Sequence, residues 1–587
     1  MVKLTIDNKM IEVENGTTIL KAARQAGIHI PTLCHFEIEG IKFENRPGGC
    51  RVCVVEVEGR RNLAPACVTE CTEGMVVHTN SGRVINARRT VVELILSDHP
   101  AECLTCPQSG QCELQSLAIR LGIKEIPFKG EKSTYRKDMS PSIVRDMDKC
   151  IMCRRCENVC NNIQTVGALS AINRGFNAVV ATAFEDDIVN SPCVMCGQCV
   201  AVCPTGALSE VDDTRRVINA LNDPKKTVIV QTAPAVRVAI GEEFGLAPGT
   251  IVTGRLAGAL RQLGFDYVFD TDFAADLTIM EEGTEMLDRI SRFMNGDKSV
   301  RLPILTSCCP GWVNFFEHNF PDMLDVPSSA KSPQQMFGAI AKSYWAEKMG
   351  LRREDIVVVS IMPCLAKKYE CQRDEFKLDG NPDVDIVLST RELAELIKNY
   401  NIDLSEVAPQ DFDDPLGEST GAAVIFGATG GVIEAATRTA YEIFTKKKLE
   451  NVDFKQLRGL EGIREAYVDF DGTPIHIGIA HGLGNARKLL EKVREGKETF
   501  HAIEVMACPG GCISGGGQPY HHGNTEIIRK RFDALYRADA GKPIRKSHEN
   551  PSIIKLYKEY LGEPCGEKAH KLLHTHYFDK SAHIKTK

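Results

Sequence analysis

Several features common in other protein classes are missing from this 587-residue chain. It has no block of basic residues, and its net charge of −7 is spread thinly, so a nucleic-acid partner is not expected. No apolar run approaches the roughly 20 residues needed to cross a bilayer. The first residues lack the apolar core of a signal peptide and a twin-arginine pair. We therefore expect a cytoplasmic protein without a membrane span.

A complete dinucleotide-binding fingerprint is also missing. Two glycine-rich stretches, residues 427–431 (GATGG) and 482–487 (GLGNAR), both fall short of the G-x-G-x-x-G pattern. Nicotinamide or flavin chemistry, if the protein takes part in it, is therefore expected to come from partner subunits.

Cysteine, in contrast, is abundant. The 23 cysteines of a chain without an export signal favour metal binding over disulfides, because the cytosol keeps thiols reduced. Nineteen of them fall into five groups with spacings that suit iron–sulfur ligation, four groups before residue 210 and one spread over about 200 residues beyond it. The remaining four are Cys71, Cys308, Cys371 and Cys565.

Residues 1–80 combine a hairpin, a helix and cysteine-bearing loops. Alternating polarity across residues 3–13 predicts the hairpin, and the helix after it is expected to be capped near Thr17 and to end at Gly27. A strand is predicted at 54–57. This order predicts a ubiquitin-like roll with a [2Fe–2S] cluster, and structural zinc is the alternative. The predicted ligands are Cys34, Cys50, Cys53 and Cys67.

Residues 81–135 place one histidine and three cysteines ahead of a helical stretch at 113–121. We predict a small domain with a [4Fe–4S] cluster in which a neutral imidazole replaces one anionic thiolate and makes the cluster less negative. The alternative is an ordinary core or surface histidine. The predicted ligands are His99, Cys103, Cys106 and Cys112.

Residues 136–210 contain an internal duplication of the run C-x2-C-x2-C-x3-C. This is the bacterial ferredoxin pattern for two [4Fe–4S] clusters, in which the fourth cysteine of each run crosses over to the other cluster. One predicted set is Cys150, Cys153, Cys156 and Cys203, and the other is Cys193, Cys196, Cys199 and Cys160.

Beyond residue 210 the pattern changes to strands that alternate with helices, which predicts a two-lobed α/β domain with parallel sheets over residues 211–545. A helix is expected at 235–244, and residues 546–587 form a charged tail with short helices near 553–560 and 567–573. The whole chain is thus a multidomain α+β and α/β protein. The predicted strands are 227–231, 302–305, 356–361, 385–388, 423–426, 475–480 and 503–505.

Three of these strands run into cysteine motifs, namely 306–312 (TSCCPGW), 361–368 (IMPCLAKK) and 504–519 (EVMACPGGCISGGGQP). A fourth ends at Thr232, followed by Ala233 and Pro234. Because open α/β sheets bind ligands beyond the carboxyl ends of their strands, these cysteines are expected to converge on one cleft.

The three motifs resemble the active-site signatures of [FeFe]-hydrogenases, and the upstream modules resemble those of its longer members. The resemblance extends to about residue 575. It implies reversible oxidation of H2 to two protons and two electrons at an H-cluster. This is a [4Fe–4S] cubane joined through Cys512 to a two-iron subcluster with carbon monoxide, cyanide and a bridging dithiolate. The implied cubane ligands are Cys309, Cys364, Cys508 and Cys512.

The resemblance also implies a proton path. Cys308 would be a free thiol that relays protons, and Glu282, Glu285, Arg289 and Ser328 would continue outward. Steps of three and four residues place the first three of these on one face of a helix predicted at 276–293. Taken alone, Glu285 and Arg289 would favour an exposed salt bridge.

Other residues match the family's cofactor pocket. Lys367 would hydrogen-bond a cyanide ligand, although a surface lysine is the alternative. Met362 and Met506 would form adaptable walls. Ala233, Pro234, Gln334 and Phe426 would line the same pocket, and without the resemblance each would be read as core packing.

The overall layout resembles the hydrogenase subunit of multimeric NAD(P)-linked, electron-bifurcating enzymes. It implies ferredoxin or flavin-containing NAD(P)-linked subunits as partners, and maturation proteins that insert the di-iron unit. Two alternatives are a purely electron-transferring subunit, which would not need the cysteines beyond residue 210, and an H2 sensor or iron–sulfur assembly protein, which would not need Cys308.

Overall fold

The computed structural model describes residues 1–38 and 43–582. Its first part is a five-stranded sheet with the order β2-β1-β7-β5-β6 and a separate pair, β3-β4. The elements are β1 (Val2–Ile6), β2 (Lys9–Val13), α1 (Ile19–Gln25), β3 (Phe36–Ile38), β4 (Phe43–Asn45), β5 (Val54–Val57), β6 (Ala64–Pro65) and β7 (Val76–His78).

The predicted hairpin is confirmed, with Val2 opposite Val13 and Ile6 opposite Lys9. Asp7 and Asn8 form its turn with φ of 45° and 66°, as a two-residue type I′ turn requires. The helix cap predicted near Thr17 is confirmed at the next residue. It is the Thr18 side chain that accepts a hydrogen bond, from the Lys21 backbone N–H at 3.4 Å.

The middle part holds short elements around cysteine loops. A three-stranded sheet has the order β12-β9-β8, and β10 and β11 form a hairpin. The elements are α2 (Gly82–Asp98), α3 (Glu113–Arg120), β8 (Asp138–Met139), β9 (Ile143–Arg145), α4 (Arg155–Asn158), β10 (Ser170–Ile172), β11 (Val179–Ala181), α5 (Gln198–Ala201), β12 (Leu208–Glu210) and α6 (Thr214–Leu221).

Two four-stranded sheets organise the largest part. The first, in the order β14-β13-β16-β19, is parallel throughout. In the second, β15-β22-β21-β20, the predicted parallel pairing holds for β15, β22 and β21, whereas the edge strand β20 is antiparallel to β21. The eight strands are β13 (Thr227–Thr232), β14 (Tyr267–Asp270), β15 (Ile304–Leu305), β16 (Ile356–Met362), β19 (Ile386–Ser389), β20 (Ile463–Phe470), β21 (Thr473–His481) and β22 (Ala502–Met506), while β17 (Lys377–Leu378) and β18 (Asn381–Pro382) form a separate antiparallel pair.

Helices pack against both sheets. The longest, α8, begins after Asp270, whose side chain accepts from the Asp272 N–H at 3.0 Å. The helices are α7 (Thr253–Gln262), α8 (Thr271–Met294), α9 (Pro310–Asn319), α10 (Pro333–Ile340), α11 (Ala346–Met349), α12 (Ala366–Glu370), α13 (Thr390–Asn399), α14 (Gly421–Val424), α15 (Gly431–Thr445) and α16 (Leu483–Arg494).

Two predictions in this region are wrong. Residues 423–426 were expected to form a strand but lie in α14 and in the 3-10 turn Ile425–Gly427 that follows it. Residues 235–244 form two 3-10 turns rather than a helix. Residues 423–426 and 235–241 are buried on all sides, so their apolar pattern does not distinguish strand from helix.

The last part packs against the region of the two four-stranded sheets and consists of α17 (Thr525–Ala540), α18 (Pro551–Leu556) and α19 (Glu567–Leu573). The segment after α19 is held along the loop that contains Ser328. The Lys331 N–H donates to the Leu573 carbonyl at 2.7 Å, and the Thr575 N–H donates to the Ser329 carbonyl at 2.7 Å. Within the described ranges, no helix is long and apolar enough to cross a membrane.

Candidate functional site

The four cysteines predicted to hold the cubane follow strands β15, β16 and β22 and lie together. Burial raises the pKa of Cys508 well above its ordinary value, and charge on Cys364, Cys309 and Cys512 raises it further. Burial likewise raises the pKa of Cys364 to about 12, with Cys309 adding to the effect. Four thiols gathered in this way form a donor set suited to iron–sulfur ligation.

Backbone N–H groups face these sulfurs. Cys309 precedes α9, so the N–H groups of Gly311 and Trp312 at the start of that helix have no partner within it and favour the thiolate form of Cys309. The N–H groups of Ala366 and Lys367 do the same for Cys364. The chain thus partly compensates anionic sulfur, as a buried cluster requires.

Lys367 adds a full positive charge to this site. Its Nζ donates to the Cys308 carbonyl at 3.1 Å and to the Glu370 carboxylate at 2.9 and 3.1 Å. Although burial opposes its charge, Glu370, Cys364 and Cys308 raise the pKa of Lys367 above its ordinary value. It is 8% exposed, so it is not the surface lysine of the alternative interpretation.

The sequence did not point to Glu370, which orients two residues of the site. Its carboxylate pairs with Lys367 and also accepts from Gln334 Nε2 at 3.0 Å. A carboxylate three residues after a lysine is a common surface pattern, so only the tertiary structure distinguishes this pair.

The six predicted pocket residues are all buried. Phe426 and Met506 pack in one apolar cluster with Cys308 beside it. The backbone of Gly511 lies close against Met506, because a Cβ at this glycine would be 3.0 Å from Met506 Sδ. Gly511 also adopts φ of +103°. Gln334 Oε1 is buried and has no hydrogen-bond partner among the residues that the structure describes. The six are Ala233, Pro234, Gln334, Met362, Phe426 and Met506.

These features fit the predicted cofactor. Four cysteine thiols, buried at Cys364 and Cys508 and partly buried at Cys309 and Cys512, would supply the metal ligands. Lys367 and Gln334 Oε1 are polar groups beside an otherwise apolar wall. The alternative of ordinary core packing does not account for a buried amide oxygen without a partner.

Cys308 and Glu282 form an acid pair next to the four sulfurs. Burial raises the pKa of Cys308 well above its ordinary value, and Glu282 adds to the effect. Burial, and after it the charge of Glu285, raises the pKa of Glu282 to about 8. Both groups are therefore protonated near neutral pH. The Glu282 carboxylate oxygens have no hydrogen-bond partner in the part of the chain that the structure describes.

The outer predicted residues form a hydrogen-bonded chain. Ser328 Oγ donates to Glu285 Oε2 at 2.7 Å, and Arg289 donates to Glu285 Oε1 at 2.5 Å. Glu285 and Arg289 thus form a salt bridge, as the alternative interpretation expected. It is not an exposed one, because the two side chains are 13% and 17% accessible. Tyr577, which the sequence did not indicate, covers this chain by donating to the Ser328 carbonyl.

The predicted [2Fe–2S] ligands also meet. Hydrogen bonds with Cys50 and Cys67 lower the pKa of Cys34 to about 2, and a bond with Cys67 lowers the pKa of Cys53 to about 7. Cys34 thus lies beside Cys50 and Cys67, and Cys67 also lies beside Cys53, so the four thiols form one group.

The three cysteines of the second module line one small cavity together with His99. Burial lowers the pKa of His99 to about 4, with Lys149 and Lys132 adding to the effect, so the imidazole is neutral, as a metal ligand must be. Its Nδ1 is buried without a hydrogen-bond partner.

The ferredoxin-like region shows the predicted crossover. Burial raises the pKa of Cys153, and charge on Cys203 raises it further. Burial likewise raises the pKa of Cys193 to about 12, and charge on Cys160 adds to the effect. The fourth cysteine of each run therefore lies with the other run.

The cysteine groups adjoin one another. Asn45 Nδ2 donates to the carbonyls of Cys34 at 2.6 Å and Cys153 at 3.0 Å. A Cβ on Gly206 would lie 2.5 Å from Cys106 Sγ. Charge on Cys196 contributes to the raised pKa of Cys508, after burial and the nearer cysteines. The ferredoxin-like region therefore touches both N-terminal groups and the C-terminal one.

Five known family descriptions match consecutive parts of the chain. Residues 226–516 match the iron only hydrogenase large subunit, C-terminal domain, and 525–580 the iron hydrogenase small subunit. Residues 1–82 match a 2Fe-2S iron-sulfur cluster binding domain. Residues 88–127 match the iron-sulfur binding region of NADH-ubiquinone oxidoreductase-G, and 140–209 the ferredoxin-like domain of NADH-quinone oxidoreductase subunit 3.

Individual proteins are similar over nearly their full length. The NADP-reducing hydrogenase subunit HndD of Solidesulfovibrio fructosivorans is 64% identical, covering 99% of each chain. Iron hydrogenase 1 of Clostridium pasteurianum is 40% identical, covering 98% of this chain and 100% of that protein. A solved variant of the [FeFe]-hydrogenase HydA1 from Chlamydomonas reinhardtii is 44% identical with a TM-score of 0.56, covering 63% of this chain and 99% of that one.

The geometry around His99 leads to the first prediction. His99→Ala should lose the iron–sulfur signal of the second module in electron paramagnetic resonance spectra, because three thiolates remain for four irons. The matched variant His99→Cys should keep the signal but lower that cluster's reduction potential by on the order of 100 mV, because an anionic ligand replaces a neutral one. An unchanged spectrum in His99→Ala would exclude His99 as a ligand.

A second prediction concerns the ionisation of Glu282. Its pKa is raised from 4.5 to about 8 in the folded chain, so the folded state holds the proton more tightly than the unfolded state between these values. The stability of the wild type should therefore fall relative to Glu282→Gln as the pH rises from about 5 to about 8. Thermal unfolding midpoints of the two proteins across this range test it, and a constant difference would contradict the raised pKa.

Proposed function

Because this chain belongs to the iron-only, or [FeFe]-, hydrogenase family, we propose that it catalyses the reversible oxidation of H2 to two protons and two electrons. The single observation that carries the proposal is the meeting of four cysteines, two of them buried, beside Cys308 and Glu282. A purely electron-transferring subunit needs neither the C-terminal sulfur set nor a buried acid pair next to it.

The four cysteines Cys309, Cys364, Cys508 and Cys512 would hold the cubane of an H-cluster, with Cys512 also joining the two-iron subcluster. When bound, that subcluster would supply a Lewis-acidic metal and a centre for two-electron chemistry. The protein's own contribution is orientation, charge compensation and exclusion of water. Met362, Met506 and Phe426 are at most 6% exposed and would keep the pocket dry.

Lys367 would orient an anionic ligand of the subcluster. Its ammonium is held by Glu370 and the Cys308 carbonyl, so its position is fixed before the cofactor binds. A charged donor in a dry pocket compensates an anion better than a neutral donor. Ala233, Pro234 and Gln334 would complete the wall.

Protons would leave the site through Cys308, Glu282, Ser328, Glu285 and Arg289. Cys308 Sγ and the Glu282 carboxyl are both neutral acids near pH 7, so protons would move along them in a concerted relay, in which each group receives one proton as it releases its own and neither keeps a charge. Glu282 must rotate, or a water must bridge it, to reach Ser328 Oγ. From there Glu285 and Arg289 lead to a surface cavity of about 370 Å³ that they help to line.

Electrons would travel through one [2Fe–2S] and three [4Fe–4S] clusters. Both N-terminal groups adjoin the set that contains Cys153 and Cys203. Asn45 links one to it, and the other is linked by the Glu113 N–H, which donates to the Pro204 carbonyl at 3.0 Å. Electrons from the two N-terminal clusters would therefore join at the ferredoxin domain before they reach the catalytic domain. This arrangement suits a subunit that exchanges electrons with more than one partner.

We propose ferredoxin or flavin-containing NAD(P)-linked subunits as those partners, in line with the multimeric enzymes that the layout resembles. Maturation proteins would insert the di-iron unit, and the protein would act in the cytoplasm without nucleic acid. The proposed modules are a ubiquitin-like [2Fe–2S] roll (1–80), a His-ligated domain (81–135), a ferredoxin domain (136–210), a two-lobed catalytic domain (211–545) and a helical tail (546–587).

The third prediction tests the relay thiol. Cys308→Ala should lower H2 turnover with an artificial dye by about 10²–10⁴-fold, because it removes the acid that passes protons at the active site. The iron content and the spectra of the accessory clusters should not change. Cys371→Ala is the matched control, since that thiol is also buried but bonds only to the Lys368 carbonyl. Wild-type turnover in Cys308→Ala would remove the relay assignment, and equal losses in both variants would point to folding.

A further inference from the structure

A second group of metal-ligating side chains lies next to the proton path and takes no part in the proposed reaction. One ligand atom from each of Glu281, Cys565 and His574 lies within 4.8 Å of the other two. His574 Nε2 is 2.9 Å from Glu281 Oε2, and Cys565 Sγ is 3.4 Å from the Glu281 carbonyl. The three residues come from α8 and from the two ends of the α19 region, so the fold of the tail brings them together.

Two other groups of similar composition provide an internal comparison. In the group of His35, Glu37 and Glu44, the ammonium of Lys21 pairs with both carboxylates at 3.0 and 3.5 Å. In the group of Glu442, His548 and Glu549, Lys546 pairs with both carboxylates at 2.7 and 2.8 Å. In each, a lysine already provides the positive charge that a metal ion would bring.

The group around Glu281 differs in this respect. Over the described ranges, neither lysine nor arginine pairs with Glu281, whose side chain is fully buried. Its carboxylate accepts hydrogen bonds from the Tyr557 hydroxyl, the Cys565 N–H and His574. None of these donors carries a permanent positive charge. This is also the one of the three groups that contains a thiol.

We propose that Cys565, His574 and Glu281 form a binding site for a soft divalent cation, with Zn²⁺ as the best match. Zinc accepts thiolate, imidazole and carboxylate together, whereas calcium and magnesium take oxygen ligands. On binding, the cation would displace the Cys565 thiol proton and the proton between His574 and Glu281. The nitrogen and oxygen must separate from 2.9 Å to about 3.3 Å, the spacing that tetrahedral zinc bonds of about 2.0–2.1 Å require.

The surroundings provide access and a fourth ligand. Cys565 and His574 line the surface cavity of about 370 Å³ that Glu285 and Arg289 also line. A water molecule from this cavity can complete a four-coordinate site. Three protein ligands with one open position are common in zinc proteins.

Binding would act on the proton path through Ser329. Its Oγ is 2.8 Å from His574 Nδ1, and its N–H donates to Glu285 Oε2 at 3.1 Å. Ser329 alone thus separates His574 from Glu285, and the positive charge of a divalent cation on His574 would disfavour the arrival of a proton at Glu285. Zn²⁺ should therefore slow turnover, and this consequence rests on the function proposed above, whereas the binding itself does not.

Binding is tested on the full-length protein with its clusters in place. One equivalent of ZnCl2 is added, unbound metal is removed by gel filtration, and zinc and iron are counted. Zinc-edge X-ray absorption should show one sulfur at about 2.3 Å with nitrogen and oxygen at about 2.0 Å. Cys565→Ser should lose the sulfur shell and weaken binding at least tenfold. Glu549→Gln, in the group where Lys546 already pairs with both carboxylates, should change neither the sulfur shell nor the zinc affinity.

Three results would overturn the site: no retained zinc, an all-oxygen shell, or a shell of three or more sulfurs with loss of iron. Dye-linked H2 turnover then tests the coupling. Added Zn²⁺ should slow the wild type severalfold and leave Cys565→Ser unaffected. Zinc that binds as expected without slowing turnover would overturn the coupling to the path. A wild type that is inactive before zinc is added, yet binds it as expected, would contradict the proposed function and support the site.

Discussion

The rest of this structure depends on one electrostatic constraint, namely that four sulfurs are held together away from water. Burial alone raises the pKa of Cys508 and Cys364, and each neighbouring thiolate raises it further. Such a set is stable as anions only with positive charge at its centre and dipoles around it. The N–H groups in the first turns of α9 and α12 supply the dipoles, and Lys367 supplies a charge whose own burial is offset by Glu370.

The modules that carry the cysteine groups are also joined by close contacts. Arg155 is 2% exposed and donates to the Glu113 carboxylate at 2.7 and 2.8 Å and to the His35 carbonyl at 3.3 Å, so one guanidinium joins three modules. At Gly197 a Cβ would lie 2.7 Å from Leu365, next to Cys364. These contacts fix the cysteine groups relative to one another, which a chain of electron carriers needs.

Much of this arrangement could be predicted where the signal is local. Cysteine spacing indicated the four groups before residue 210, and the alternation in residues 3–13 indicated the hairpin, because ligand geometry and strand pleating both act over a few residues. The fifth group is spread over about 200 residues, and its ligands were identified only from motifs that resemble those of a known family. The strand predicted at 423–426 failed because a short buried apolar run has no amphipathic period. Tyr577, Glu370, Cys565 and His574 were missed for another reason: their roles arise from contacts between segments far apart in the sequence, as when Tyr577 reaches Ser328.

The central claim is that the C-terminal sulfur set holds a cubane with an attached two-iron unit. Infrared spectroscopy of the anaerobically purified, matured protein tests it most directly, since metal-bound carbon monoxide and cyanide absorb where proteins do not. The account predicts sharp bands from both ligands that disappear in Cys512→Ala, with the accessory clusters unchanged. An active, fully matured protein without such bands, or bands that persist in Cys512→Ala, would contradict it.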